Sequence, residues 1–568
     1  MRSGSNLGRL ILLVLAGPLD FTAGFGAFRP SNHRQLGTNM GSTMDAESSE
    51  QLKNGLLGMD EAERPPPFRL GYVTDVEGNL DYFLRYVKES RVLRVEGDAT
   101  STHIRLDLVG DNTYFVYGGD AVDKGPGDIR MVTALVELKR RYPERVYLLV
   151  GNRDLNKLRF TAELSPDDLE RPIDEIPPPF WDPKAVTLQE FLERKLKKEA
   201  IYEKKSVGDL NTRVNRIHYL LQHTLGCPDT FEFRRQELSL LYGRTHISDE
   251  EVVDNFIYEV KNREGSLRQY LQVADVAICI GNTLFCHGAV DQNTMKFVPA
   301  LDTKFERPSS KPRPGDIIDN VQDWTKALNH YLKRGLEDNC DRPHWNEDRT
   351  SRGGEALMAL QNRPATWGRS IICNCYGDGG CITTEHAAAI RNDPERKDME
   401  RTNPLAFAKV SSDPMDQTVA SWLRKDGIQR VMVGHKPTGD CPAVLSALYT
   451  GVEVVSADTS FSDTLTGDNR GKALSVVEIA GTSPSDNQLH LSGTLKDGSH
   501  YSAKYVRLHP GGIDKSVGDP KLGTFLDGKV WWVKAAVDDR YYLTRGHGRK
   551  VEFESIPHDS LLQEATFR

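Results

Sequence analysis

At 568 residues, with 38% hydrophobic and 27% charged side chains, the chain has the apolar content for a sizeable core and the length for more than one structural unit. A net charge of -8, from 81 acidic against 73 basic residues, excludes a basic chain and argues against bulk nucleic-acid binding. The N-terminal apolar run is too short to cross a bilayer, so no membrane span is expected in the mature chain.

In chain order, residues 1–30 come first. Arg2 and Arg9 precede an apolar run from Leu10 to Ala16, then Gly17-Pro18 and the small residues Thr22-Ala23-Gly24. That is the layout of a secretory signal. Phe28 and an acid-free stretch up to Asp45 resemble a two-part plastid address of algae with secondary plastids. A disordered leader on a cytoplasmic chain is the alternative. Residues 31–67 are polar and end in Pro65-Pro66-Pro67, a stiff linker.

A strand is predicted from Arg69 to Thr74. A helix follows, with Leu80, Phe83, Leu84 and Val87 on one face. A second strand, Thr113 to Tyr117, runs into Gly118-Gly119-Asp120, and Ile129 to Arg141 reads as a helix. A third strand, Arg145 to Val150, runs into Gly151-Asn152. This β-α-β-α-β order predicts an α/β layered sheet, and ligands gather beyond the carboxyl ends of such strands.

The rhythm breaks over 161–275, where helices are predicted near 187–205, 209–225 and 249–262. The basic run Arg194-Lys195-Leu196-Lys197-Lys198 there reads as a solvated helix face. Val276 to Phe285 reads as one strand delivering His287. A second interruption, 291–427, is proline-rich and then mixed. Strands Ile428 to Val433 and Val452 to Ser456 deliver His435 and Asp458. Both interruptions are too long for plain loops and read as lids or specificity elements inserted in a domain spanning 68–472. From 473 to 568 short alternating strands are predicted: Ala473 to Ile479, Gln488 to Gly493, Tyr501 to Leu508, Lys529 to Ala536, Arg540 to Thr544 and Lys550 to Glu554. The first of these can finish the core sheet, and the rest suggests a small β appendix.

Eight cysteines are scattered along the chain. Cys279 and Cys286 lie in apolar runs and read as buried thiols. Cys373, Cys375 and Cys381 admit a disulfide or a zinc site, without the paired spacing that identifies zinc.

Five apolar runs thus end in metal-ligand chemistry. A hydrolytic pair of cations sits about 3.5–4 Å apart around a shared ligand, so that bridging hydroxide attacks in line. Asp120, at a glycine-lined strand end, is the natural bridge. Asp75 and Glu77 can face one ion, while Asn152, His287 and His435 can serve the other.

With these residues in place, the chain resembles a calcineurin-like metallophosphoesterase. The motifs that carry the resemblance are Asp75-Val76-Glu77, Gly119-Asp120-Ala121-Val122-Asp123, Gly151-Asn152-Arg153-Asp154, His287 and Gly434-His435-Lys436-Pro437. Asp120 to Pro126 is similar to the phosphoprotein-phosphatase and dinucleoside-tetraphosphatase branches, and Asp458-Thr459 to the latter. The resemblance implies a four-layer α/β/β/α sandwich, two divalent ions and phosphoester hydrolysis. The ions would be Mn²⁺ first, with Mg²⁺, Fe²⁺ or Zn²⁺ as alternatives. The implied substrate is a phosphorylated small molecule, nucleotide or phosphoprotein.

Two positions depart from the family pattern. Glu77 replaces a histidine, leaving a carboxylate set that favours a hard cation. Arg153 replaces a histidine that protonates the leaving oxygen. Arginine cannot do so near neutrality but can clamp phosphate oxygens. Pro437 removes a further imidazole, for which Asp458 could compensate. Arg153, Asp123 and Asp154 form the expected catalytic group, with Asp123 orienting Arg153 or a metal ligand. Asn79 is expected either to touch substrate or to brace its loop. The competing readings are a pseudo-phosphatase acting as a binding scaffold and a nuclease.

Overall fold

A computed structural model of the chain describes residues 67–98, 102–178, 186–199, 206–292, 294–301, 315–358, 365–366, 417–463, 465–466, 469–524, 526, 531–547 and 550–561. The expected leader, the linker as far as residue 66, and Cys373, Cys375 and Cys381 lie outside the described residues. Among the described residues no helix is long and apolar enough to cross a membrane.

The strands in chain order are β1 (Phe68–Val73), β2 (Leu93–Glu96), β3 (Arg105–Leu108), β4 (Thr113–Tyr117), β5 (Val146–Leu148), β6 (Ala277–Ile280), β7 (Thr283–Cys286), β8 (Phe297–Pro299) and β9 (Gly315–Ile317). They continue as β10 (Arg430–Val433), β11 (Ala443–Leu445), β12 (Glu453–Ser456), β13 (Leu474–Ser483), β14 (Asp486–Thr494), β15 (His500–His509), β16 (Gly512–Asp514), β17 (Trp532–Val537), β18 (Arg540–His547) and β19 (Lys550–Pro557). One sheet has the order β19-β18-β17-β15-β14-β13-β1-β4-β5, with β16 beside β15; the second has the order β11-β12-β10-β7-β6.

β1, β4 and β5 run parallel, as do β7, β10 and β12. Parallel neighbours need a crossover, and the helices Leu80–Glu89 and Asp128–Arg141 supply it in the first sheet. Val73 pairs with Tyr117, and Tyr117 with Leu148, so these three strands stop level with one another.

Alternation along the strands makes the layers. Tyr72, Val116, Phe285, Met432 and Val455 share one buried cluster between the sheets. The Tyr72 and Phe285 rings meet there at 5.9 Å. Their strand neighbours Phe115, Tyr117, Leu284, Val431, Val433 and Val454 belong to a second cluster shared with helical residues such as Leu135, Tyr270 and Trp324. The result is an α/β fold of two facing sheets with helices on their outer sides.

Several elements differ from the sequence expectation. The segment read as one strand from Val276 is a hairpin, β6 and β7, turning at Gly281-Asn282. The β2–β3 hairpin and the helices Thr230–Tyr242 and Ser266–Val273 went unpredicted. So did the helix Val321–Asp341, whose buried Val321, Trp324, Leu328, Tyr331 and Leu332 follow one-face spacing. Its proline-rich approach obscured that pattern. The strands from β13 onward hydrogen-bond edge to edge with β1, so the C-terminal segment extends the core sheet.

Candidate metal centre

Six loops, one from the carboxyl end of each parallel strand, build the site. They carry Asp75 after β1, Asp120 after β4, Asn152 after β5, His287 after β7, His435 after β10 and Asp458 after β12. Asp75, Glu77, Asp120, Asp123 and His435 hold φ angles of 53°, 55°, 51°, 133° and 67°. Non-glycine residues enter this region at a steric cost, and it persists where the surroundings over-determine the backbone. Gly151 and Gly434 allow the close approach: a Cβ at either would stand 2.1 Å from a carboxylate oxygen, of Asp120 and Asp75 respectively.

The nitrogen-rich side is built around His287, which is fully buried. Its Nδ1–H donates to the Gly118 carbonyl at 2.9 Å, since a carbonyl only accepts. That bond turns Nε2 toward Asp120 Oδ2 at 3.3 Å and Asn152 Oδ1 at 3.2 Å. Such an anchored imidazole is the arrangement of a metal-binding histidine. The His287 and His435 rings lie edge to face with centroids 5.2 Å apart. Ligand atoms of Asp120, His287 and His435 all fall within 4.8 Å of one another. Burial alone would lower the His287 pKa, but the Asp120 and Asp75 carboxylates outweigh it and push it up to about 10. Burial would likewise raise Asp120, yet His287, Arg153 and His435 hold it below the usual carboxylate range. The geometry therefore stabilises positive charge between these oxygens. Asp120, Asn152, His287 and His435 fit a divalent cation with mixed nitrogen and oxygen donors.

The other expected ion does not fit in the same way. Glu77 Oε1 lies 2.6 Å from Arg153 Nε, and its Oε2 lies 2.9 Å from Lys124 Nζ. Burial pushes the Glu77 carboxyl up, but Arg153, Lys124 and Arg470 prevail and lower it. The proposed ligand is here a counter-ion to two cations. The Asp75 carboxylate accepts the His435 amide at 3.0 and 3.1 Å and the Thr74 hydroxyl at 2.6 Å. Burial first, then Asp458, raise Asp75 well above the ordinary range. Burial and Glu77 push the Asp458 carboxyl up to about 6.

The remaining expected residues have definite places. Arg153 spans the site: its amide donates to Asp120 Oδ1 at 2.8 Å, and its guanidinium donates to Asp123 Oδ2 at 3.1 Å and to the Leu225 carbonyl at 3.2 Å. Leu225 and Thr230, whose hydroxyl donates to the Asp123 carbonyl, bring the first insertion against this side. Asp154 accepts the amides of Asp120, Ala121 and Gly151 at 3.0, 2.8 and 2.8 Å. It braces the β4 and β5 loops against each other, where a catalytic carboxylate was expected. Burial and the Asp120 charge push it up to about 7. Asn79 caps the helix Leu80–Glu89, its Oδ1 accepting the Tyr82 amide at 3.0 Å.

Three basic residues escaped the sequence reading. Lys124 pairs with Glu77 and stands 3.7 Å from the centre of the Phe461 ring. Lys157 Nζ lies 2.6 Å from Asp123 Oδ1 and donates to the Arg153 carbonyl at 3.1 Å. Arg470 donates to the Asp75 carbonyl and stacks on Tyr82 at 4.6 Å. Lys124 had a local signal, since it follows Asp123 in the same loop. Arg470 had none.

No family model matches the chain. A cold-active protein-tyrosine phosphatase of the psychrophile Shewanella sp. overlaps it at 13% identity and a TM-score of 0.33, over 78% of this chain and 84% of that one. A second cold-active protein tyrosine phosphatase structure overlaps at 13% identity and a TM-score of 0.33, over 77% and 78%. A serine/threonine phosphatase from Saccharomyces cerevisiae, with similarity to human phosphatase PP5, overlaps at 11% identity and a TM-score of 0.28, over 73% of each chain. Overlaps this loose assign no activity.

Proposed function

We propose that the chain is a metal-dependent phosphoesterase, hydrolysing a phosphoric ester or anhydride on a small molecule, nucleotide or phosphoprotein. One observation carries the reading: Asp120, Asn152, His287 and His435 meet at level strand ends beside two basic side chains, Arg153 and Lys124. Mn²⁺ is the proposed ion, and Fe²⁺ and Zn²⁺ also suit this mixed donor set. Glu77 is engaged by Arg153 and Lys124, so the carboxylate-set argument no longer favours Mn²⁺ or Mg²⁺ over Zn²⁺.

A cation at this position supplies Lewis acidity to a phosphoryl oxygen and to the attacking water. Arg153 and Lys124 set two fixed positive charges beside the phosphoryl oxygens, the Arg153 fork itself being held by Glu77, Asp123 and the Leu225 carbonyl. Asp123 fixes that fork, and Lys157 fixes Asp123 in turn. Arg153 keeps its proton, so the departing oxygen must leave without help from it. The buried Asp154 keeps the two loops in register while this happens.

The test is Mn²⁺-stimulated hydrolysis of an aryl phosphate by the purified chain. Loss of that activity in Asp120→Asn supports the reading, and an undiminished variant refutes it. A non-catalytic scaffold is the second reading, favoured by the ion cluster that ties up Glu77.

A further inference from the structure

We infer that the centre holds one divalent cation, and that Arg153 and Lys124 take the place of a second. The inference rests on the phosphoesterase reading above and concerns the make-up of that same site. The donors available to a second ion are Asp75, Glu77, the shared Asp120 and Asp458, whose Oδ1 already accepts the Ser460 amide at 2.8 Å. Glu77 is 3% exposed and engaged at both oxygens: Oε1 with Arg153 Nε at 2.6 Å and Lys124 Nζ at 3.1 Å, Oε2 with Lys124 Nζ at 2.9 Å. Arg153 Nε also lies 3.7 Å from Asp120 Oδ2. The guanidinium therefore stands between the two carboxylates that a second ion would have to join.

Neither cation is free to swing away. Arg153 is tied to Asp123 Oδ2 and the Leu225 carbonyl, and Lys124 is backed by the Phe461 ring. A divalent ion placed beside them would meet two like charges in a buried setting, where screening is weak. Asp75 already accepts the His435 amide and the Thr74 hydroxyl, and Pro437 offers no side-chain donor. The other position shows the opposite pattern. There His287 Nε2 lies 3.3 Å from Asp120 Oδ2 and 3.2 Å from Asn152 Oδ1, and Arg153 Nε reaches the same Asp120 oxygen only at 3.7 Å. One position is thus built for an exchangeable metal, and the other is filled by the chain's own fixed charge. Fixed charge cannot acidify water, but it can grip phosphoryl oxygens and never dissociates.

The experiment is a metal count on the full-length chain, stripped with chelator, reloaded with Mn²⁺ and desalted. Elemental analysis should find one equivalent per chain, and electron paramagnetic resonance should show the hyperfine pattern of an isolated ion. His287→Ala should lose that ion, whereas Glu77→Gln should keep it. Two equivalents with an exchange-coupled spectrum would overturn the inference and leave the phosphoesterase reading standing. Loss of the ion from Glu77→Gln would also overturn it. No bound ion in the parent chain would sink both readings. The parent count decides the matter even if a variant fails to fold.

Discussion

Glu77 and Arg153 are bonded to each other, Oε1 to Nε at 2.6 Å. They are also the two residues at which the sequence departs from the metallophosphoesterase pattern it resembles. Glu77 is a buried charge and Arg153 a largely buried one, and each needs opposite charge around it. Together they neutralise one another, with Lys124 and Asp123 completing the cluster. The two departures are physically one change. Double replacement by histidine is therefore the informative comparison.

Asp120→Asn removes the charge that His287 and Arg153 both face. Turnover should fall by roughly 10³-fold, about 4 kcal/mol of transition-state stabilisation. Bound metal should fall with it. Parallel measurement of metal content and aryl phosphate hydrolysis checks both.

Arg153 carries no dissociable proton near neutrality, so departure of the leaving oxygen should be rate-sensitive. Across a series of aryl phosphates, kcat should decline steeply as leaving-group pKa rises. A flat dependence would mean that some other side chain protonates the departing oxygen.

Arg153→Lys keeps one positive charge but loses the fork that reaches Glu77 and Asp123 together. A drop of about 10- to 100-fold in kcat/KM is expected, with most of it in KM. Steady-state kinetics on one aryl phosphate separates the two constants.

Glu163 joins the two insertions, pairing with Arg159 at 2.7 Å and Arg352 at 2.9 Å. Burial would raise its carboxyl, but Arg159 and then Arg352 bring it down to about 2. A depressed carboxylate contributes stability above its unfolded pKa of about 4.5, and loses it as pH falls toward about 2. Glu163→Gln should cost about 3 kcal/mol at neutral pH. The gap between parent and variant in denaturant melts should close between those two pH values, and a gap independent of pH would contradict the assignment.

The order of the candidate donors was legible because it is written locally. An apolar run that stops at Gly-Asp or Gly-Asn needs no distant partner to be read as a strand end with donors. The parallel pairings that level Val73, Tyr117 and Leu148 then bring those ends together. That β13 could finish the core sheet was legible, but the helix Val321–Asp341 and the further extension of that sheet by β14 to β19 were not. A sheet edge is chosen by which strands are left to pair, and that depends on the assembled molecule.

The sequence by itself determined which residues stand at the strand ends and which chemistry they can offer. Only the tertiary structure decided that Glu77 serves Arg153 and Lys124, that Asn79 caps a helix and that Asp154 holds backbone amides. The reason is electrostatic: a buried carboxylate is defined by the charges and donors around it, and those arrive from loops far apart along the chain.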